Sequence, residues 1–163
     1  MKKSFIFIIL FYLSLTQVLY SFEIKRNFPI NNIVALDLNK NTINIAQNSK
    51  NVPYLISFVL LENSNCKSLL EFYQQLIERY KIDVYLLLEN TSEKSLGYLT
   101  NFKISRLYFL RDVNQQYIQP FQILILPTSF LIDQQGVLNN LYIDLNEKTK
   151  NQMMKDIVGL LEK

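Results

Sequence analysis

The sequence contains no histidine and no tryptophan, and its 163 residues include one cysteine and three glycines. Each shortage removes a class of chemistry. Without an imidazole there is no Ser-His-Asp triad, no papain-like Cys-His pair, no His-Glu-x-x-His zinc site and no Cys-x-x-Cys-His haem attachment. A single cysteine can neither close an internal disulfide nor form a Cys-x-x-Cys redox couple. Gly97, Gly136 and Gly159 are too scattered for a phosphate-cradling loop, which needs several glycines within about ten residues so that backbone N–H groups converge on the anion. No cofactor and no metal is expected. What is present is an ordinary globular composition, 49% hydrophobic and 19% charged, sufficient for one domain with its own core.

The N-terminal stretch reads apart from that domain. Lys2 and Lys3 precede the unbroken apolar run Phe5 to Leu13, the more polar Ser14 to Ser21 follows, and Glu23 to Arg26 restores charge. A positive start, a short apolar core and a small residue at the end make a secretory signal, with cleavage expected after Ser21. Even the looser span Phe5 to Tyr20 falls short of the roughly 20 residues needed to cross a bilayer. Membrane association is expected only if this segment stays uncleaved. With no cysteine nearby, a bacterial lipoprotein anchor is not expected. The reading is therefore a signal over residues 1–21 and one domain over residues 22–163, in an exported protein. Cleavage removes two lysines and no acid, lowering the formal charge from +3 to +1 over 142 residues, so no nucleic-acid partner is expected.

Periodicity then alternates between strand and helix. Ile33 to Leu38 and Thr42 to Ile45, joined by Asn39-Lys40-Asn41, read as a hairpin, followed by a loop over Gln47 to Asn51. Tyr54 to Leu61 is nearly all apolar, as in a strand covered on both faces. Cys66, Leu69, Leu70, Tyr73, Leu76, Ile77 and Tyr80 recur at helical spacing and predict a helix from about Ser64 to Tyr80. Ile82 to Leu88 reads as a second buried strand, Ser92 to Phe102 as a helix with Leu96, Leu99 and Phe102 inward, and Arg106 to Leu110 as a short strand. Ser129 to Asp133 and Val137 to Ile143 form a hairpin in which Gly136 supplies a positive φ. Asp144 or Asn146 caps a last helix whose apolar face carries Met153, Met154, Ile157, Leu160 and Leu161.

Several groups have plain readings. Asp37, Glu62, Asp83, Glu89 and Asp133 form no carboxylate pair at a spacing that sets two on one helix face, so acid-base hydrolysis has no specific support. The dispersed tyrosines and phenylalanines read as core rather than as a base-stacking surface. Lys148, Lys150 and Lys155, mixed with Glu147 and Asp156, read as a solvated helix face.

Two segments carry a resemblance. Leu124 to Gly136, with Pro127-Thr128-Ser129-Phe130-Leu131-Ile132-Asp133 at its centre, is similar to an x-P-T-x-F-L-I-D-x-x-G passage, and Phe58 to Lys67 is similar to an F-W-A-x-W-C-x-x-C-(K/R) strand-to-helix passage. With the order of elements, these resemble the thioredoxin-like proteins of the TlpA/ResA type, exported bacterial thiol-disulfide oxidoreductases, over roughly residues 30–162. The resemblance implies an α/β thioredoxin-like fold. Its central mixed sheet is flanked by helices and carries an N-terminal β-hairpin and an inserted strand-helix unit. It implies a periplasmic location in a bacterium, and a cis-proline at Pro127 facing the active site. It also implies a peptide-binding groove at Leu126, Pro127 and Thr128, opposite Asn63 to Cys66.

The departures bear on activity. Asn63 stands at the family's nucleophile position, Glu62 where it has tryptophan, and Glu71 where a proline usually kinks the helix; of the two cysteines only the resolving one remains, Cys66. Asn63 can cap a helix but cannot attack a disulfide. Cys66 lies on the apolar stripe, where it reads as a small buried residue, or else as a single-cysteine redox site. A peroxiredoxin is a further but weak candidate, because Asn63 and Val59 stand where that family has threonine and proline. Two functions are expected: a protein- or peptide-binding module without dithiol exchange, or a single-cysteine thiol oxidoreductase or peroxidase using Cys66.

Overall fold

Tyr54–Val59 is buried at all six positions, and the molecule is arranged around it. The computed structural model describes residues 33–49, 51–60, 66–89, 99, 104–112, 116–119, 121 and 123–162. In chain order these form β1 (Val34–Asp37), β2 (Thr42–Asn44), α1 (Ile45–Asn48), β3 (Tyr54–Val59), α2 (Cys66–Tyr80), β4 (Asp83–Leu88), β5 (Leu107–Arg111), β6 (Thr128–Ile132), β7 (Leu138–Ile143) and α3 (Glu147–Leu161). The seven strands make one mixed sheet in the order β2-β1-β5-β4-β3-β6-β7. β3, β4 and β5 pair in parallel, and the other pairs are antiparallel.

Strand alternation divides the core into two layers. Leu55, Val59, Val84, Leu86 and Leu131 face α2 and α3 and pack with Tyr73, Leu76, Met153 and Ile157. Tyr54, Ile56, Phe58, Tyr85, Leu87 and Phe130 point to the other side, onto Ile33, Ile45 and Ile118. Coverage on both faces explains why the central strands read as continuous apolar runs.

The structure departs from the sequence reading in three places. Residues 45–48 form a short helix instead of a strand end and a loop, because the Asn44 side chain accepts a hydrogen bond from Gln47 N at 3.1 Å and starts the turn. On α3, capped by Asn146 through Thr149 N at 3.0 Å, the buried stripe is Met153, Ile157 and Leu160; Leu161 lies one residue, about 100°, off it and is exposed. Lys150 is not a solvated charge. Its side chain is 17% exposed, its Nζ sits 2.8 Å from Glu147 and 5.4 Å from the centre of the Phe72 ring. The expected helix over 92–102 lies outside the described residues except for Leu99, which is buried. Gly136 takes φ 79° in the β6–β7 turn, where the Asp133 carboxylate accepts from Gln135 N and Val137 N.

The core holds buried hydroxyls that no periodicity reveals. Ser57 of β3 pairs directly with Ser129 of β6, and their Oγ atoms are 2.7 Å apart. The Tyr73 hydroxyl from α2 bonds to both, at 3.0 Å to Ser129. Burial pushes the Tyr73 phenol up to about 12 against the opposing pull of those hydrogen bonds. On the opposite face the Tyr85 hydroxyl accepts from Asn48 Nδ2 at 2.8 Å and from Ser49 Oγ, and burial likewise raises it to about 12.

Tyr73→Phe leaves Ser57 and Ser129 bonded to each other and is expected to cost about 1 kcal/mol. The double substitution Ser57→Ala with Ser129→Ala strands a buried phenol and is expected to cost about 2 to 3 kcal/mol, read from urea midpoints. Equal costs would show that the cluster contributes volume alone. Because Tyr73 and Tyr85 titrate higher folded than their ordinary value of 10.0, the stability they contribute is intact below pH 10 and falls as pH rises towards about 12. Phenolate absorbance followed together with unfolding checks this: ionisation of both groups in the folded protein near pH 10 would contradict it.

Candidate functional site

Two chain segments meet at the C-terminal end of β3. Within the sheet Phe58 is paired with Thr128, and Thr128 on its other side with Ile143. Pro127 therefore lies one residue beyond the paired region, beside the point where β3 leaves the sheet. The Leu126–Pro127 peptide is cis. Cys66 opens the described part of α2 (Cys66–Tyr80), the helix that follows β3 in the chain. The Cys66 side chain, Glu62, Asn63 and residues 1–21 lie outside the described residues.

The three residues expected to form a groove play different parts. Leu126 and Pro127 are half-buried. Thr128 is buried, and its hydroxyl donates to Ile125 O at 2.6 Å, so it braces the lip from below. Pro127 O accepts from Asp144 N at 3.0 Å, which ties the lip to the end of β7. The surface is supplied by two residues that the sequence reading placed in the motif but not in the site: Leu124, 92% exposed, and Ile125, 53% exposed. Leu60 and Ile143 add further exposed apolar surface at this end. The only sequence signal for them was the length of the apolar run before Pro127, which by itself reads as buried strand.

Beneath the lip Phe58 makes edge-on contacts with Phe121 and Phe130, both with centroids 5.9 Å apart, and Phe121 stacks on Tyr117 at 6.4 Å. The Tyr117 hydroxyl donates to Val34 O and accepts from Val34 N at 2.9 Å, fastening this segment to β1. Asp112, at the end of β5, is buried and accepts from Tyr117 N and Ile118 N, each at 3.2 Å. Burial raises its carboxyl above the usual range while these N–H donors pull it down.

Among the described residues, the N–H groups of Leu124, Ile125 and Leu126 and the C=O groups of Leu124 and Leu126 meet no protein hydrogen-bonding partner. Open backbone groups beside exposed apolar side chains are what a chain in extended conformation requires for pairing. No group of three or more His, Cys, Asp or Glu that could hold a metal occurs among the described residues, and no described helix is long and apolar enough to cross a membrane. The ion pair of Arg106 with the buried Asp83, 3.5 Å, and a groove of about 350 Å³ between Gln74, Lys81 and Arg106 lie at the opposite end of the sheet.

No protein-family model and no curated protein matches this sequence. Solved structures do match. The chain is similar to a thiol:disulfide interchange protein DsbE from Chlorobium tepidum, with TM-score 0.69 and 15% identity over 79% of this chain and 92% of that one. It is similar to an exposed lipoprotein thioredoxin from Streptococcus pneumoniae, with TM-score 0.61 and 15% identity over 78% of this chain and 98% of that one. It is also similar to a secreted Mycobacterium tuberculosis disulfide oxidoreductase, with TM-score 0.62 and 10% identity over 82% of this chain and 99% of that one. The fold is α/β and thioredoxin-like.

Asp112→Ala removes the acceptor for two backbone N–H groups and is expected to cost about 1 to 3 kcal/mol. Hydrogen exchange at Tyr117 and Ile118 should accelerate well beyond that at β3. Unchanged exchange at those two amides would show that Asp112 does not hold the segment under the lip.

Proposed function

We propose that this thioredoxin-fold chain is an exported binding module of the bacterial cell envelope, of the TlpA type. It holds an extended protein or peptide segment at the lip Leu124 to Thr128 and carries out no dithiol-disulfide exchange. The observation that carries this reading is the single cysteine in a chain whose lip residues Leu124 and Leu126 have no backbone hydrogen-bonding partner among the described residues. Exchange needs two thiols in turn: a thiolate attacks a substrate disulfide to give a mixed disulfide, and a second thiol displaces it. With Asn63 in the attacking position and Cys66 as the one thiol, a reaction begun here would stop at the mixed disulfide. The lip needs neither thiol to pair with an extended chain through the N–H and C=O groups of Leu126. Export is supported by the pattern of residues 1–21 and by the named location of two of the similar structures, one an exposed lipoprotein and one secreted.

A second reading rests on one observation. Cys66 is the single thiol in the sequence and lies in α2, and a thiolate there can form a mixed disulfide or a sulfenic acid. It would then act as a single-cysteine thiol oxidoreductase or peroxidase.

Insulin reduction and peroxide consumption, run on the protein and on Cys66→Ser, separate the two. The binding reading expects no cysteine-dependent turnover in either assay, with partner binding unchanged in the variant. Turnover that disappears in Cys66→Ser would establish the enzyme instead.

A further inference from the structure

The groove at the opposite end of the sheet from the lip is bordered by two charges of opposite sign that do not neutralise each other. It encloses about 350 Å³ between the end of α2, which supplies Ile77, Glu78 and the following Lys81, and the turn Ile104 to Arg106 that leads into β5. The guanidinium of Arg106 is already committed: it pairs with the buried Asp83 at 3.5 Å and donates to Lys81 O. The Glu78 carboxylate accepts from the neutral Gln74 amide at 2.8 Å, and among the described residues neither Glu78 nor Lys81 has an ionic partner. One carboxylate and one ammonium are left at the groove.

Their separation has a cause in the backbone. Glu78 and Lys81 stand three positions apart, a spacing at which a regular helix lets opposite charges meet. Lys81, however, follows the last residue of α2 with φ 57°, in the left-handed region that favours glycine, and there the chain leaves the helical path. Arg106, across the groove, has φ 67° and fastens that turn through Lys81 O. We propose that the groove binds a small zwitterion of the α-amino-acid class. Its ammonium meets Glu78, its carboxylate meets Lys81 and the Ser105 hydroxyl, and an aliphatic side chain lies on Ile77 and Ile104. A simple anion would face Glu78 as well as Lys81, and a simple cation the reverse; a ligand with both charges gains at both ends. The Ser105 hydroxyl makes no hydrogen bond to a described residue, and Ile77 and Ile104 belong to the helix-side core, which gives the groove an apolar part. Because Glu78, Lys81 and Ser105 are exposed, each contact is weak and the affinity is of millimolar order. The site involves neither the lip nor Cys66.

Nuclear magnetic resonance titration of the isotope-labelled full chain with L-leucine tests this. Leucine is expected to bind with a dissociation constant of about 1 to 10 mM, shifting the amides of Lys81, Ser105 and Arg106 and not those of the lip. N-acetyl-leucine, which keeps the carboxylate alone, and leucinamide, which keeps the ammonium alone, are each expected to bind about fivefold more weakly or worse. Glu78→Gln and Lys81→Gln, at exposed positions, are each expected to weaken leucine binding by about the same factor. N-acetyl-leucine or leucinamide bound as tightly as leucine would overturn the zwitterion. Leucine binding unchanged in both variants, or a titration that leaves the amides of Lys81, Ser105 and Arg106 unmoved, would overturn the site itself.

Discussion

The pairing of β3 with β6 is the constraint on which the rest of the molecule depends, and three buried hydroxyls help to set its register. Ser57 lies opposite Ser129, and Tyr73 reaches from α2 to both. A one-residue slip would send every side chain of a strand to the opposite face and leave these hydroxyls unpaired in an apolar core. The same register sets Phe58 beside Thr128, and so brings Pro127 to the exit of β3. A polar cluster on the helix-covered face of the sheet thus determines where the lip at its end stands.

Around that register the lip is held from several sides. Thr128 braces Ile125, Asp144 holds Pro127, and Asp112 with Tyr117 fastens the segment beneath to β5 and β1. These ties use groups other than the N–H groups of Leu124 to Leu126, which have no hydrogen-bonding partner among the described residues. Leu124, at the margin of this well-tied lip, keeps 92% of its surface exposed. The chain therefore has a thioredoxin-like scaffold with one thiol in its sequence.

Much of the architecture was legible as pattern. β3 and β4 read as fully covered strands, α2 and α3 as amphipathic helices, and the β6–β7 turn from Gly136, because each signal is local: burial on two faces, a 3.6-residue period, a residue that tolerates positive φ. The misreadings arose where a local pattern met a specific contact. Ile45 continues the strand alternation, yet the Asn44 cap turns the chain into α1. Lys150 sits among charges along the sequence, yet Phe72 comes from another helix. For the site, Leu126, Pro127 and Thr128 were visible in the motif, but the motif could not separate the buried brace Thr128 from the exposed pair Leu124 and Ile125.

The sequence by itself determined which chemistry is absent and how many thiols there are: with no histidine and one cysteine, whole reaction classes are closed regardless of fold. It also determined the order of the strands and of α2 and α3, since periodicity is a property of neighbours along the chain. Only the tertiary structure decided which apolar residues cover the core and which remain outside, and which hydroxyls find one another. Those outcomes depend on pairs far apart in sequence, Ser57 with Ser129 and Phe58 with Thr128, whose distance is set by strand register and not by composition.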